Sequence, residues 1–140
     1  MSELTTSVSI HASRSRVWQV LIDVEHWPEW TPSVRRIEAV DAGALGVGSR
    51  VRIEQPKLAP AVWTITDWQP EAAFTWVSRR PGVVVTALHV IEGNSEGATR
   101  VTLTVRFEGL LAPLIALLSG KLTQRYMGLE AAGLKQRCEP

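Results

Sequence analysis

The sequence predicts an α+β fold in which a curved, seven-stranded antiparallel sheet wraps around a long C-terminal helix, with two short helices near the N-terminus. Three observations lead to this prediction. Alternate-residue hydrophobic patterns run through residues 4–10 and 34–107. Short turns rich in glycine and proline separate the patterns, and residues 111–136 show helical spacing instead. Because short connections force neighbouring strands to run antiparallel, six strands form a meander, which the first strand joins at an edge.

Most of the strands show an alternation of apolar and polar side chains. In the last strand Val101, Leu103 and Val105 alternate with arginines and threonines, so the apolar set faces a core. Two strands, Ala61–Gln69 and Gly82–Glu92, are apolar on both sides, which leaves their inward faces open. The predicted strands are Leu4–Ile10, Val34–Val40, Ser49–Gln55, Ala61–Gln69, Ala72–Arg79, Gly82–Glu92 and Ala98–Phe107.

Helical patterns lie on either side of the meander. Ser13 is suited to cap a first helix, because its hydroxyl accepts a backbone N–H, and a second short turn carries Trp27 and Trp30. Leu111–Gln136 is predicted to be one helix roughly 39 Å long, with Pro113 tolerated in its first turn. We expect one face of this helix to be buried against the sheet. That face carries Leu111, Ile115, Leu118, Leu122, Tyr126, Leu129 and Gly133.

Composition narrows the class of protein. The 140 residues predict a single domain spanning 1–140, and 15 Lys+Arg against 14 Asp+Glu give a net charge of +1, which argues against nucleic acid as a partner. Cys138 is the only cysteine, so an intramolecular disulfide is excluded. The N-terminus shows no secretory signal, and the longest apolar stretch, Leu110–Leu118, is too short to be an integral membrane segment. We therefore expect a cytoplasmic protein.

The predicted architecture leaves a space between its two layers. One helix is about 10 Å wide, whereas seven strands spaced ~4.8 Å apart span nearly 30 Å when flat, and twist reduces this mismatch without removing it. Either bulky side chains or a ligand must fill the gap. The six tryptophans provide the bulk for a filled core, which is the alternative to a cavity: Trp18, Trp27, Trp30, Trp63, Trp68 and Trp76.

Several motifs resemble those of one superfamily. They are Val17-Trp18-x-x-Leu21-x-Asp23, Trp27-Pro28-x-Trp30, Phe74-x-Trp76, His89-x-Ile91-Glu92, Gly97-x-Thr99-Arg100-Val101-Thr102-Leu103, Gly109 and Leu134-Lys135. In order and spacing they resemble the START-like (SRPBCC) superfamily, and more closely its bacterial branch of polyketide cyclase/dehydrase and lipid-transport proteins. The resemblance covers essentially the whole chain. It implies a helix-grip fold with an apolar cavity between the sheet and the terminal helix. Because the superfamily includes cyclases, aromatases, hormone receptors and lipid carriers, the resemblance implies the fold more specifically than the activity.

Two residues are candidates for chemistry in such a cavity. His89 lies mid-strand among apolar residues, where it could act as a general base or bond a ligand carbonyl or enol; the alternative is a structural histidine bonded to the backbone. Tyr126 has a hydroxyl that needs a partner on the buried helix face, and it could orient a polar ligand group or move a proton. The predicted ligand-binding residues, which could also be simple core packing, are Trp30, Phe74, Trp76, His89, Leu103, Val105, Leu118, Leu122 and Tyr126.

Other catalytic patterns are weak. His11, His26 and His89 share no metal-ligand spacing, and the chain has neither a phosphate-binding loop nor a dinucleotide fingerprint, so we expect no metal and no cofactor. The segment 93–97 matches the nucleophile-elbow pattern G-x-S-x-G. A strand rather than a helix follows it, however, and no histidine lies downstream, so we interpret it as a hairpin loop.

Three functions remain open. The first is binding of a small hydrophobic ligand, such as a lipid, polyketide or aromatic metabolite, and we prefer it because no acid–base pair is evident. The second is a polyketide cyclase or aromatase, in which His89 or Tyr126 transfers protons while the cavity holds the substrate in a reactive conformer. The third is a protein-interaction module, which predicts a contiguous exposed apolar patch.

Overall fold

The computed structural model describes residues 2–93 and 97–140. Its strands are β1 (Ser2–Ile10), β2 (Arg36–Ala39), β3 (Arg50–Glu54), β4 (Ala61–Gln69), β5 (Ala73–Arg80), β6 (Val83–Gly93) and β7 (Thr99–Glu108). Its helices are α1 (Arg14–Ile22), a 3₁₀ helix (Val24–Glu29) and α2 (Ala112–Cys138). Most of the predicted loop at 93–97 lies outside the described residues.

All seven strands form one antiparallel sheet in the order β1-β7-β6-β5-β4-β3-β2. This confirms the predicted meander with the first strand added at an edge. β2 is shorter than predicted and begins at Arg36 rather than Val34. The buried side chains of β3, β5 and β7 are the predicted alternating sets, so these strands face the core with the expected residues.

The structure also assigns the two strands whose faces were open. In β6 the buried positions are Val83, Ala87, His89 and Ile91. In β4 the register shifts between Ile65 and Asp67, so Ile65 pairs with Trp76 whereas Trp68 pairs with Phe74. A β-bulge of this kind inserts one extra residue and changes which side chains share a face. Ile65 and Trp68 therefore both point inward although they lie three positions apart.

The N-terminal helices cover one end of the concave face. Ser13 caps α1 as predicted, with its hydroxyl accepting the Arg16 backbone N–H at 3.1 Å. In the 3₁₀ helix, Trp27 is buried and its indole N–H donates to the carbonyl of Leu21 at 2.9 Å. This bond satisfies the polar atom of an otherwise apolar side chain, as a buried tryptophan requires.

Helix α2 follows the prediction in its second half only. From Tyr126 onward it packs against β1, β7 and α1, and its buried residues there are Tyr126, Met127, Ala131, Gly133, Leu134 and Cys138. Gly133 permits a close approach to the 3₁₀ helix, because a Cβ at this position would overlap the carbonyl oxygen of Trp30. No helix among the described residues is both long enough and apolar enough to cross a membrane.

The placement of Leu111 and Leu118 on the buried face is wrong, since their side chains are 43% and 73% exposed. The first half of α2 is apolar on most sides, so helical spacing alone could not determine which leucines face inward. In the structure Ile115 faces inward, and Leu111, Leu114, Leu117 and Leu118 are exposed.

Cys138 is expected to be chemically inert in the folded protein. Burial near the end of α2 raises the pKa of its thiol to about 11, so little thiolate exists at pH 8. We expect dithionitrobenzoate at pH 8 to modify the native protein more than about tenfold more slowly than the guanidinium-unfolded chain. Equal rates in the two states would contradict the buried position of this thiol.

Candidate functional site

A cavity of about 320 Å³ lies between the concave face of the sheet and the part of α2 from Ile115 to Glu130. Its wall is mostly aliphatic and aromatic, and the inward residues of β3 to β7 supply most of it. The lining side chains include Ile53, Ala61, Trp63, Trp76, Val83, Val85, Ala87, His89, Leu103, Val105 and Phe107 from the sheet, and Ile115, Ser119, Thr123, Tyr126, Met127 and Glu130 from α2. The alternative in which indoles fill this space completely is therefore wrong.

The cavity reaches the surface beside the β5–β6 turn and the loop before β4. Two of its lining residues, Ala59 and Arg80, are exposed there. The Arg80 guanidinium donates to the carbonyl oxygens of Ala59 at 3.4 Å and Pro60 at 2.6 Å. These bonds hold the end of β5 against the β3–β4 loop and place a cation at the opening.

His89 is buried in the wall, where aromatic side chains hold its ring in place. The imidazole stacks on the Phe74 ring, with centroids 4.1 Å apart and planes 8° apart. Trp27 and Trp76 contact it in edge-to-face geometry. Its Nδ1 lies 3.3 Å from the carbonyl oxygen of Phe74. Because a carbonyl only accepts hydrogen bonds, Nδ1 is the donor there. Nε2 is then the nitrogen available to a ligand or to a neighbouring acid.

That neighbouring acid is Glu130 of α2. Its Oε1 lies 3.6 Å from Nε2 of His89, and this oxygen is buried with no hydrogen-bond partner among the described residues. Buried carboxyl oxygens in native proteins almost always have partners. A small movement or a bound molecule would supply one. A histidine and a carboxyl group therefore lie side by side in the wall, an arrangement that was not evident in the sequence.

Trp63 supplies a second unsatisfied polar group. Its indole Nε1 is buried and has no hydrogen-bond partner within residues 2–93 and 97–140. The ring lies 6.1 Å from that of Trp76, and both side chains line the cavity. An indole N–H only donates, so the group that completes this site would be an acceptor such as a carbonyl or ether oxygen.

Tyr126 also lines the cavity, and its hydroxyl donates to the carbonyl oxygen of Pro56. This hydrogen bond joins α2 to the β3–β4 loop at the cavity rim. The hydroxyl therefore already has a protein partner, and the bond connects these two elements.

The structure brings five of the predicted ligand-binding residues together in the cavity wall: Trp76, His89, Leu103, Val105 and Tyr126. The other four lie elsewhere. Phe74 is packed beneath His89, Trp30 lies against Gly133, Leu122 is half-buried outside the lining, and Leu118 is exposed. The bulk or the helical spacing of these residues had predicted that they line the cavity. Phe74 instead supports His89 from behind the wall, and Trp30 contacts α2 at Gly133.

Among the lining residues that were not predicted to bind a ligand, Trp63, Arg80 and Glu130 carry polar groups that could contact one. Only Glu130 had a usable signal, since it lies four residues after Tyr126 and therefore on the same side of the helix. Trp63 belongs to Ala61–Gln69, one of the two strands whose inward face could not be assigned. Arg80 lies at a turn, and nothing in the sequence indicated that the cavity opens there.

A curved antiparallel sheet around a C-terminal helix, with a cavity between them, defines the helix-grip class of START-like proteins. The chain belongs to the polyketide cyclase/dehydrase and lipid transport family, whose model matches residues 1–139. This confirms the predicted superfamily and branch. No curated protein matches the chain.

Solved structures show the same fold. A protein from Thermus thermophilus is 23% identical, with a TM-score of 0.77, over 98% of this chain and 97% of that one. The Zhui aromatase/cyclase from a Streptomyces species is 17% identical, with a TM-score of 0.79, over 98% and 93%. A START superfamily protein from Mycobacterium smegmatis is 14% identical, with a TM-score of 0.76, over 96% and 97%. At these identities the similarity establishes the fold alone.

Proposed function

We propose that this protein binds a small, mostly apolar molecule, such as a lipid, a polyketide or an aromatic metabolite, in the cavity between sheet and α2. The observation that carries the proposal is the cavity itself, about 320 Å³ in volume, with an apolar wall that contains a few polar groups. Ligand sites in proteins typically combine a volume of roughly 300–1,000 Å³ with such a lining.

The expected affinity follows from the apolar area that a ligand would bury. A molecule with about 300 Å² of apolar surface gains roughly 7 kcal/mol from burial. The loss of translational and rotational freedom offsets several of these, so burial alone leaves an affinity of roughly millimolar or weaker. Polar contacts would then raise the affinity and select the ligand. Trp63 would donate to a ligand acceptor, and the His89–Glu130 pair would bond a hydroxyl or enol group.

A cavity-filling variant tests this proposal. Val85 is a half-buried lining residue of β6, and Val62 is an exposed residue of β4 outside the cavity. We expect Val85→Trp to weaken binding of an apolar fluorescent probe, an anilinonaphthalene sulfonate, by about tenfold or more, because the added indole removes volume and apolar contact area. The matched variant Val62→Trp should bind the probe like the wild type. Probe binding that is absent, or equal in both variants, would count against a ligand in this cavity.

A second candidate function is catalysis of polyketide cyclisation, and the His89–Glu130 pair favours it. Nε2 of His89 would take a proton from the carbon between two carbonyls, and the resulting enolate carbon would form a bond to a distant carbonyl carbon of the same chain. The alkoxide would then recover the proton, and loss of water would complete the dehydration. Glu130 would orient and stabilise the imidazolium across the 3.6 Å separation. Tyr126 would position α2 rather than transfer protons, since its hydroxyl donates to Pro56.

A further inference from the structure

A cluster of leucines at the start of α2 is exposed, and we call it the leucine face. It consists of Leu110, Leu111, Leu114, Leu117 and Leu118. Three of them are largely in solvent, with 96% of Leu110, 80% of Leu117 and 73% of Leu118 exposed. Single exposed leucines are ordinary, but adjacent ones of this size mark an interaction surface.

Basic side chains continue the leucine face along the helix. Lys121 and Arg125 follow Leu114, Leu117 and Leu118 at three- and four-residue steps, so they lie on the same side of α2. Both are exposed, and neither forms an ion pair within the described residues. The sequence has no acidic residue between Glu108 and Glu130. Of these two acids, Glu130 is turned toward His89, and Glu108 precedes the face in the sequence.

The leucine face also borders the opening of the cavity. The Leu111 side chain lies so close to Gly82 that an added Cβ there would come within 2.6 Å of it. Gly82 forms the β5–β6 turn between Arg80 and Val83, both of which line the cavity. From the helix, Ile115 and Ser119 line the cavity. The leucine face thus begins, at Leu111, beside the turn at which the cavity reaches the surface.

We propose that the leucine face docks on an anionic phospholipid bilayer, with its leucines among the acyl chains and Lys121 and Arg125 at the headgroups. This inference rests on the proposed function, because a membrane is the natural source or destination of an apolar ligand. An apolar helix surface flanked by Lys and Arg is the pattern that binds anionic interfaces. A second copy of the chain fits less well, since a two-fold contact would bring two sets of unpaired cations onto one apolar interface.

Vesicle co-sedimentation tests the inference. We expect the wild type to bind vesicles of phosphatidylcholine with about 30% phosphatidylglycerol, to bind pure phosphatidylcholine more weakly, and to dissociate as salt rises. Replacing both leucines in Leu117→Ser/Leu118→Ser should lower the partition coefficient about tenfold or more. Lys121→Gln and Arg125→Gln should each lower it about fivefold on the anionic vesicles. Val47→Ser is the control. It removes an apolar side chain that is similarly exposed but does not belong to the leucine face, and it should leave vesicle binding unchanged.

Two outcomes would overturn the inference. One is equal partitioning of the wild type and the double-leucine variant. The other is a wild type that does not bind the vesicles; a wild-type dimer by light scattering that the double-leucine variant converts to monomer would then assign the leucine face to self-association. Binding of the anilinonaphthalene probe tests the proposed function separately, because this assay contains no vesicles. Probe binding that Val85→Trp weakens, together with a failure to bind vesicles, would remove the docking surface and leave the ligand site in place.

Discussion

Replacing Gly133 with alanine is expected to lower the free energy of unfolding by about 2–3 kcal/mol. The new methyl group would overlap the carbonyl oxygen of Trp30 and lie 2.9 Å from its carbonyl carbon. Both neighbours belong to the backbone, so a rotamer change cannot relieve the clash. Either α2 or the 3₁₀ helix has to move, and the contacts of Trp27 and Trp30 in the wall of the core would loosen with it.

Gly128→Ala provides the matched control in the same helix. A Cβ at Gly128 meets no atom within 4 Å, and the position is exposed. Alanine there should be neutral or stabilising by up to about 1 kcal/mol, because glycine is the poorer helix former. Urea denaturation followed by tryptophan fluorescence measures both variants. An unchanged midpoint for Gly133→Ala would show that the two helices do not approach as closely as described.

Replacing His89 with glutamine is expected to reduce proton transfer in the cavity about a hundredfold, if the second candidate function is correct. Glutamine keeps hydrogen-bonding groups on the side chain, but it cannot exchange a proton near neutral pH. Conversion of the enol of benzoylacetone to its diketone form is a suitable reaction, because it needs one proton transfer at the carbon between two carbonyls. Its ultraviolet absorbance gives the rate directly.

His26→Gln is the control for this measurement, since His26 is exposed outside the cavity and paired with Asp23 at 2.7 Å. It should leave both the reaction rate and the affinity for the probe unchanged. A His89→Gln variant with normal probe affinity and a lowered rate would support catalysis. A changed affinity without any catalysed reaction would favour simple binding, and no change in either would remove His89 from the site.

The sheet could be predicted because alternation along a strand states directly which side chains share a face. In β7 the alternation of Leu103 and Val105 with threonines and an arginine is regular, and the structure repeats it. The pattern failed in β4, where both faces carry apolar residues and a bulge moves the inward positions from Ile65 to Trp68. A bulge depends on the pairing of two strands, so one strand's composition does not reveal it.

The site was harder to predict than the fold, because its parts come from distant positions in the chain. His89 could be placed near an apolar space from its own strand, but its partner Glu130 lies on α2. A glutamate on a helix is ordinarily solvated, so only the packing of α2 over the sheet shows that its oxygen is buried 3.6 Å from the imidazole. The start of α2 is apolar on most sides, and the hydrophobic effect does not favour one apolar side chain of similar size over another. The sequence therefore could not show that Ile115 faces inward and Leu118 is exposed.

The pairing of β1 with β7 has a consequence for how the chain acquires its structure. Ser2 pairs with Phe107 and Ile10 with Thr99, and among the described strands β7 alone lies beside β1 in the sheet. During synthesis β1 therefore has no strand to pair with until Thr99–Glu108 has been made. Closing such a long loop is slow because of its entropy, so β1 and the second half of α2 are expected to dock late in folding.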